Sequence, residues 1–122
     1  MTDNLTNARR LLNWLPVDAL LVDGRQCVKW MDVAGVSLDE PLFEQTVARV
    51  QRERPEAAEI VAGFETLIQL EKISDSVRPS GFIFHTSRCG STLLANACRA
   101  LPGSIVVSEA PVVEKIIGRF FS

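Results

Sequence analysis

The first part of the chain alternates between helix-like and strand-like spacing of its apolar residues. Over residues 5–15, apolar side chains recur every three or four positions, which predicts a short helix that Pro16 ends. The next two apolar runs, 19–22 and 26–31, are separated by a single Asp-Gly pair. Because both turn residues tolerate positive φ, this spacing predicts a hairpin of two antiparallel strands.

Two longer helical patterns follow the hairpin. Residues 39–52 predict a helix with Asp39 as its N-cap and with its apolar side chains on one face. Residues 56–73 again show helical spacing, with Gly63 as a candidate dividing point. Residues 74–80, which include a proline, are typical of a connector.

The character of the chain changes at Gly81. Residues 82–84 are a short, wholly apolar run of β type, as expected of a strand buried on both faces. Residues 85–92 are rich in small hydroxyl side chains, and apolar residues at helical spacing follow over 93–101. Residues 104–107 have the composition of a second short strand. This order predicts a strand, a turn, a helix and another strand.

The turn before this helix has the residue types of an anion site. The first N–H groups of a helix lack internal partners and lie at the positive end of the helix dipole, where a phosphate or sulfate satisfies them. Gly90 lets the backbone approach such an anion. Ser91 and Thr92 can donate hydroxyl hydrogen bonds. Arg88 adds a permanent charge with a forked set of donors.

Three better-known phosphate-binding motifs do not fit this turn. The nucleotide-triphosphatase loop requires a lysine after its last glycine, but Ser91 follows Gly90. The dinucleotide fingerprint G-x-G-x-x-G is absent. A cysteine phosphatase loop would place an arginine six positions after Cys89, where Ala95 stands.

Residues 82–94 resemble the 5′-phosphosulfate-binding loop of sulfotransferases that use 3′-phosphoadenosine 5′-phosphosulfate (PAPS). In that family an apolar strand is followed by a basic residue, a small residue, a glycine, two hydroxyl residues and an apolar residue. The corresponding residues in this chain are Arg88, Cys89, Gly90, Ser91, Thr92 and Leu93. An arginine at the first place is similar to the protein-tyrosine and carbohydrate branches. The resemblance implies PAPS as co-substrate, bound through Ser87, Arg88, Cys89, Gly90, Ser91 and Thr92. It also implies an α/β fold in which a P-loop-like strand–loop–helix unit belongs to a parallel sheet.

The same resemblance implies two catalytic residues. In the protein-tyrosine branch, a glutamate about twenty residues after the loop arginine is the catalytic base, and Glu109 lies 21 positions after Arg88. Glu109 would accept the proton of the acceptor group, and Arg88 would neutralise charge on the leaving phosphate. Each also has a structural interpretation, with Arg88 as a paired surface charge and Glu109 as a capping carboxylate for the helix that Pro111 starts. His85 is interpreted as a structural hydrogen-bonding residue.

Composition limits the remaining classes of function. The chain has 122 residues and a net charge of −2, so nothing in its overall charge favours nucleic acid or a membrane surface as a partner. No apolar run approaches the about 18 residues that cross a bilayer, and the N-terminus lacks the features of a secretory signal. We therefore expect a cytoplasmic protein. Three cysteines and one histidine argue against a zinc site and against a disulfide framework.

The resemblance covers only the front of a sulfotransferase. It implies a helical and hairpin lead-in, residues 1–80, followed by the start of a nucleotide-binding domain, residues 81–122. The family's second cofactor element, an arginine and a serine that bind the 3′-phosphate, comes later in the sequence than Ser122. We therefore expect a sulfotransferase-like domain that transfers a sulfuryl group to a hydroxyl or amine weakly or not at all by itself. A compact protein or oligomer that keeps only the anion loop is the alternative.

Two other functions remain open at the level of sequence. One is a phosphotransferase of the nucleoside-kinase type, which the missing loop lysine disfavours. The other is a non-catalytic interaction module. The last helix, residues 111–121, carries an apolar stripe that needs a covering surface, and self-association through this helix would provide one.

Overall fold

A computed structural model describes residues 4–37, 40–75, 78–86 and 89–121 of the chain, with the side chains of 4, 5 and 119–121 outside that description. These residues form a mixed α/β structure with one three-stranded antiparallel sheet in the order β1-β2-β3. The elements in chain order are α1 (Asn4–Arg10), β1 (Trp14–Val22), β2 (Arg25–Asp32), α2 (Phe43–Glu53), β3 (Glu59–Gly63), α3 (Phe64–Ile73), α4 (Ser91–Arg99) and α5 (Pro111–Phe121).

The predicted hairpin is confirmed. β1 and β2 pair antiparallel, and Val22 faces Arg25 across a two-residue turn. The turn residues Asp23 and Gly24 have φ values of 50° and 76°. Positive φ at both positions defines the turn that matches the natural twist of paired strands, so two local residues set the register of the hairpin.

The first strand begins earlier than the sequence predicts. The helix expected over residues 5–15 ends at Arg10, and β1 starts at Trp14. Pro16 lies within this strand instead of ending a helix, beside a register shift between Pro16 and Asp18. β1 is an edge strand, where a residue without an N–H group is tolerated. The pairing of β1 with β2 along the whole strand therefore prevails over the apolar spacing that predicted a helix as far as residue 15.

The helix expected over residues 56–73 is wrong in its first part. Glu59–Gly63 forms β3, which pairs antiparallel with β2. Ala62 is buried and Ile60 packs against the core, the alternation of a strand with one face inward. The free edge of β2 makes this pairing available. The division at Gly63 is confirmed, because α3 begins directly after it.

The helix expected over residues 39–52 is present as α2, with a later start. Its predicted N-cap, Asp39, lies outside the described residues. The helix begins at Phe43, and the N–H of Leu42 donates to Gln45 Oε1 at 3.2 Å. Phe43 and Val50 are buried, as the apolar stripe predicts. The predicted inward face of this helix is therefore confirmed.

One apolar cluster holds these elements together. It contains residues from both hairpin strands, from β3, from α2 and α5, and from the turns after α1 and before α5: Leu11, Val17, Ala19, Val28, Trp30, Met31, Phe43, Val50, Ala62, Ala110 and Val112. Full burial of a large apolar side chain contributes about 1.5–3 kcal/mol. No residue of α4 belongs to the cluster among the described residues, and the buried side chain of that helix is Ala95. The helix of the predicted site thus lies outside the main core.

The described residues contain no parallel sheet at the phosphosulfate loop. The three described strands all lie between residues 14 and 63, and the described residues of 81–86 and 104–107 contain no strand. Phe82 and Phe84, expected to be buried, are 76% and 92% exposed. A parallel strand needs paired neighbours and a covering layer on each face, and this segment has neither. Of the predicted strand–loop–helix unit, the described structure contains the helix α4.

The last helix is confirmed as α5 and packs on β1. Val112 is buried against the core, whereas Val113 and Ile117 are half exposed. Lys115 Nζ lies 2.5 Å from Asp18 Oδ1 and joins the helix to the strand across 97 residues of sequence. Across the described ranges, no helix combines the length and apolar character that spanning a bilayer requires.

Candidate functional site

The predicted anion turn leads into α4 through Gly90. This residue has φ 90° and ψ 15°, a left-handed conformation that favours glycine, and it is the N-cap of the helix. Leu94 N–H donates to the Gly90 carbonyl at 3.2 Å, which closes the first helical turn. The structure assigns no side-chain cap to the helix start. A Cβ atom built on Gly90 would meet nothing within 4 Å, so the turn faces open space.

The side chains of this turn are accessible where they are described. Cys89 and Thr92 are exposed, and Ser91 is partly exposed. Ser87 and Arg88, the first two predicted phosphosulfate ligands, lie outside the described residues. The described part of the turn therefore presents a left-handed glycine, two hydroxyl groups and the start of a helix to solvent.

The helix α4 is confirmed, but its predicted apolar stripe is not buried. Leu93, Leu94 and Leu101 are exposed, and the inward position is Ala95. At the far end of the helix, Arg99 reaches across to neighbouring segments. Its guanidinium nitrogens donate to the Pro41 carbonyl and to Ser108 Oγ, each at 3.3 Å. Polar contacts as well as apolar packing therefore hold α4 in place.

The predicted base, Glu109, occupies a constrained backbone position. Its φ is 51°, which is uncommon for a residue with a long side chain. The residue before it, Ser108, is held at two points: its carbonyl accepts from Phe43 N–H at 3.0 Å, and its hydroxyl accepts from Arg99. The residue after it, Ala110, is buried in the core. The surrounding structure thus imposes the conformation of Glu109.

His85 and Glu109 are brought together from opposite ends of the segment. His85 Nε2 lies 3.7 Å from Glu109 Oε1, and the other ring nitrogen, Nδ1, lies 3.2 Å from the carbonyl oxygen of Thr86. The sequence placed both residues near the site but did not pair them, because 24 positions separate them. Among the described residues, no hydrogen bond or ion pair joins Glu109 to the turn of Cys89–Thr92.

The loop preceding α2 is held by a second polar cluster. Glu40 accepts hydrogen bonds from Thr46 Oγ1 at 2.5 Å and from the guanidinium of Arg49. The Arg49 hydrogen bond, reinforced by Thr46, lowers the pKa of Glu40 from 4.5 to about 2. Arg49 also donates to the Ser37 carbonyl at 2.7 Å. The cluster fixes the backbone beside Pro41. The Pro41 carbonyl accepts the hydrogen bond from Arg99 of α4.

Glu109 is open to solvent, and no group of metal-ligating side chains is found in the described part of the chain. The side chain of Glu109 is 58% exposed, so its carboxylate is reachable from solvent. Within the described ranges, no group of three His, Cys, Asp or Glu side chains is placed to hold a metal ion.

Comparison with known proteins adds no relative: no protein-family model, no curated protein and no solved structure matches the chain.

Proposed function

We propose that this chain is a sulfotransferase-like domain that binds the 5′-phosphosulfate of PAPS and transfers the sulfuryl group to a hydroxyl or amine. The observation that carries the proposal is the start of α4. Gly90 adopts a left-handed conformation that opens directly into Ser91 and Thr92, without a side-chain cap. The resemblance of residues 82–94 assigns the phosphosulfate to this same point. Conformation and residue type therefore favour one ligand class.

Each residue of the proposed site has a role in this reaction. Ser87, Arg88, Cys89, Gly90, Ser91 and Thr92 bind the phosphosulfate through backbone N–H groups, hydroxyls and the arginine charge. The acceptor oxygen or nitrogen attacks sulfur, and its proton passes to Glu109. The bond between sulfur and the bridging oxygen breaks, and adenosine 3′,5′-bisphosphate leaves with that oxygen. Arg88 neutralises the charge that builds on the departing phosphate.

The proposal includes a larger parallel sheet around the site. Residues 82–84 and 104–107 are apolar, and Phe82, Phe84, Ile105 and Val107 are all exposed. Additional paired strands would bury these side chains and supply the 3′-phosphate element, as the resemblance implies. The cytoplasmic location of the chain and its self-association through α5 belong to the same proposal.

A non-catalytic interaction module is the alternative that one observation favours. Several apolar side chains near the site are exposed. Exposed apolar patches are uncommon on monomeric proteins and usually mark the contact surface for a partner. Under this alternative the turn at Gly90 binds no nucleotide. The nucleoside-kinase alternative has weaker support, because Ser91 occupies the place of the essential lysine.

Calorimetric titration with adenosine 3′,5′-bisphosphate tests the proposal. We expect binding by the native chain, together with a rise in melting temperature, because a ligand that binds only the folded state stabilises it by about 2.7 kcal/mol at a hundredfold excess over Kd. Binding of ATP should be weaker. The Arg88→Ala variant removes a charged hydrogen bond of about 1.5–3 kcal/mol, which weakens binding roughly ten- to 150-fold.

The matched control is Arg78→Ala, which removes an exposed arginine from the connector that precedes the site. This variant should bind like the native chain. If both substitutions weaken binding equally, the loss reflects the overall charge of the chain, and Arg88 is not part of the site. If bisphosphate, phosphate and sulfate all leave the melting temperature unchanged, the interaction module is the better explanation.

A further inference from the structure

We propose that His85 is a positioning residue for the catalytic carboxylate of Glu109. This inference rests on the proposed function, because it assigns a second residue to the base of that reaction. The observation behind it is the approach of His85 Nε2 to Glu109 Oε1 at 3.7 Å, across 24 positions of sequence. Neither a helical turn nor a hairpin brings the two residues together, so the tertiary structure of residues 81–110 creates the contact.

The backbone of Glu109 is already fixed, but its side chain is not. Ser108 is hydrogen-bonded to α2 and α4, and Ala110 is buried, so φ of Glu109 is held at 51°. A glutamate side chain retains three rotatable bonds, and fixing such a side chain costs conformational entropy. A base that must meet its acceptor in one orientation needs a further contact. His85 is the described residue that provides one.

The orientation of the imidazole ring suits this role. When both ring nitrogens carry a proton, Nδ1 donates to the Thr86 carbonyl at 3.2 Å, and this contact orients the ring so that Nε2–H points to the carboxylate. The side chain of His85 is 29% exposed, whereas that of Glu109 is 58% exposed. The contact engages Oε1 and leaves Oε2 for the proton of the acceptor. His85 thus acts on the reaction through Glu109 and not by touching the substrate.

Nitrogen NMR of the imidazole ring tests the contact directly, because His85 is the only histidine in the chain. Glu109→Gln removes the carboxylate charge and should move the Nε2 resonance of His85. Glu114→Gln makes the same change on an exposed position of α5 and should leave that resonance in place. An unchanged resonance in Glu109→Gln, or equal changes in both variants, would overturn the inference.

Release of labelled sulfate from PAPS, with water as the acceptor, tests the role in catalysis. We expect His85→Ala to lower kcat about as much as Glu109→Gln while KM for PAPS stays within twofold. The double variant should be no slower than Glu109→Gln alone, and His85→Gln, which keeps an N–H donor, should recover part of the rate. Independent, multiplicative losses in the double variant would show that His85 does not act through Glu109.

Failure of this inference is distinguishable from failure of the proposed function. If adenosine 3′,5′-bisphosphate binds and the native chain releases sulfate, but Glu109→Gln and His85→Ala both release it at the native rate, Glu109 and His85 lose their roles while the nucleotide site remains. If the bisphosphate does not bind at all, the proposed function fails, and the positioning role fails with it. Binding and sulfate release together with His85→Ala at the native rate would remove His85 alone.

Discussion

Substitution of Gly90 by alanine separates the conformation of the anion turn from its chemistry. Gly90 has φ 90°, and a Cβ atom at this position meets nothing within 4 Å. The cost is therefore conformational and not steric. A left-handed conformation costs a residue with a Cβ atom about 1–2 kcal/mol. The lower entropy of the unfolded alanine chain returns about 0.4–1 kcal/mol. The expected net loss is about 1 kcal/mol, or roughly 4 °C in melting temperature for a chain of this length.

Two other glycines supply matched controls for Gly90→Ala. Gly103, just beyond the other end of α4, has φ 74° and equally open space, so Gly103→Ala should lose the same stability. Gly81 has no positive φ and open space, and Gly81→Ala should change stability by less than about 0.5 kcal/mol. Urea unfolding of the three variants and the native chain measures these differences.

Nucleotide binding should distinguish the two strained positions. If Gly90 aligns the first amides of α4 on the phosphosulfate, alanine there misaligns one hydrogen bond to a charged group, worth about 1.5–3 kcal/mol. Adenosine 3′,5′-bisphosphate should then bind roughly ten- to 150-fold more weakly to Gly90→Ala and normally to Gly103→Ala. Equal affinities of these two variants would refute the reasoning, as would a Gly90→Ala variant as stable as Gly81→Ala.

Three further predictions concern the fold. Leu11 is 1% exposed and Leu12 is 45% exposed. Urea unfolding should therefore show that Leu11→Ala loses about 2–5 kcal/mol of stability and that Leu12→Ala loses much less. Similar losses in the two variants would contradict the assigned core. Arg49 and Thr46 favour ionised Glu40, so its contribution to stability is complete above pH 4.5 and is lost as pH falls towards about 2; acid titration of Glu40→Gln should lack this component. A double-mutant cycle on Asp18 and Lys115, both well exposed, should give a coupling of about 0.2–1 kcal/mol that decreases in high salt, and a salt-independent value would contradict an exposed ion pair.

Much of the fold follows from short stretches of sequence. The hairpin turn needs only Asp23 and Gly24, whose positive φ values are a local property. The helices α2, α4 and α5 follow from apolar spacing within each segment, and Gly90 and Pro111 mark two of their starts. Interactions within about ten residues are sufficient to specify such features, so no distant contact was required to predict them.

Other elements were mispredicted because their spacing suited more than one structure. Residues 59–63 have apolar positions that fit a helix, but β2 offers a free edge, and the segment pairs with it as β3. The apolar run 82–84 has the composition of a buried strand, yet a strand exists only where another backbone pairs with it. Here Phe82 and Phe84 remain exposed. The outcome in both cases depends on the partner and not on the segment.

The candidate site shows the same division. The sequence by itself determined that a helix starts after Gly90 with hydroxyl residues in its first turn. Glycine conformation and the helix dipole are local properties, so no distant contact is needed to predict this feature. Only the tertiary structure decided that Glu109 has φ 51°, since Ser108 is anchored by α2 and α4 and Ala110 is buried. Only the tertiary structure placed His85 within 3.7 Å of that carboxylate. Contacts between residues far apart in sequence depend on how the elements pack, and spacing along one segment carries no record of that packing.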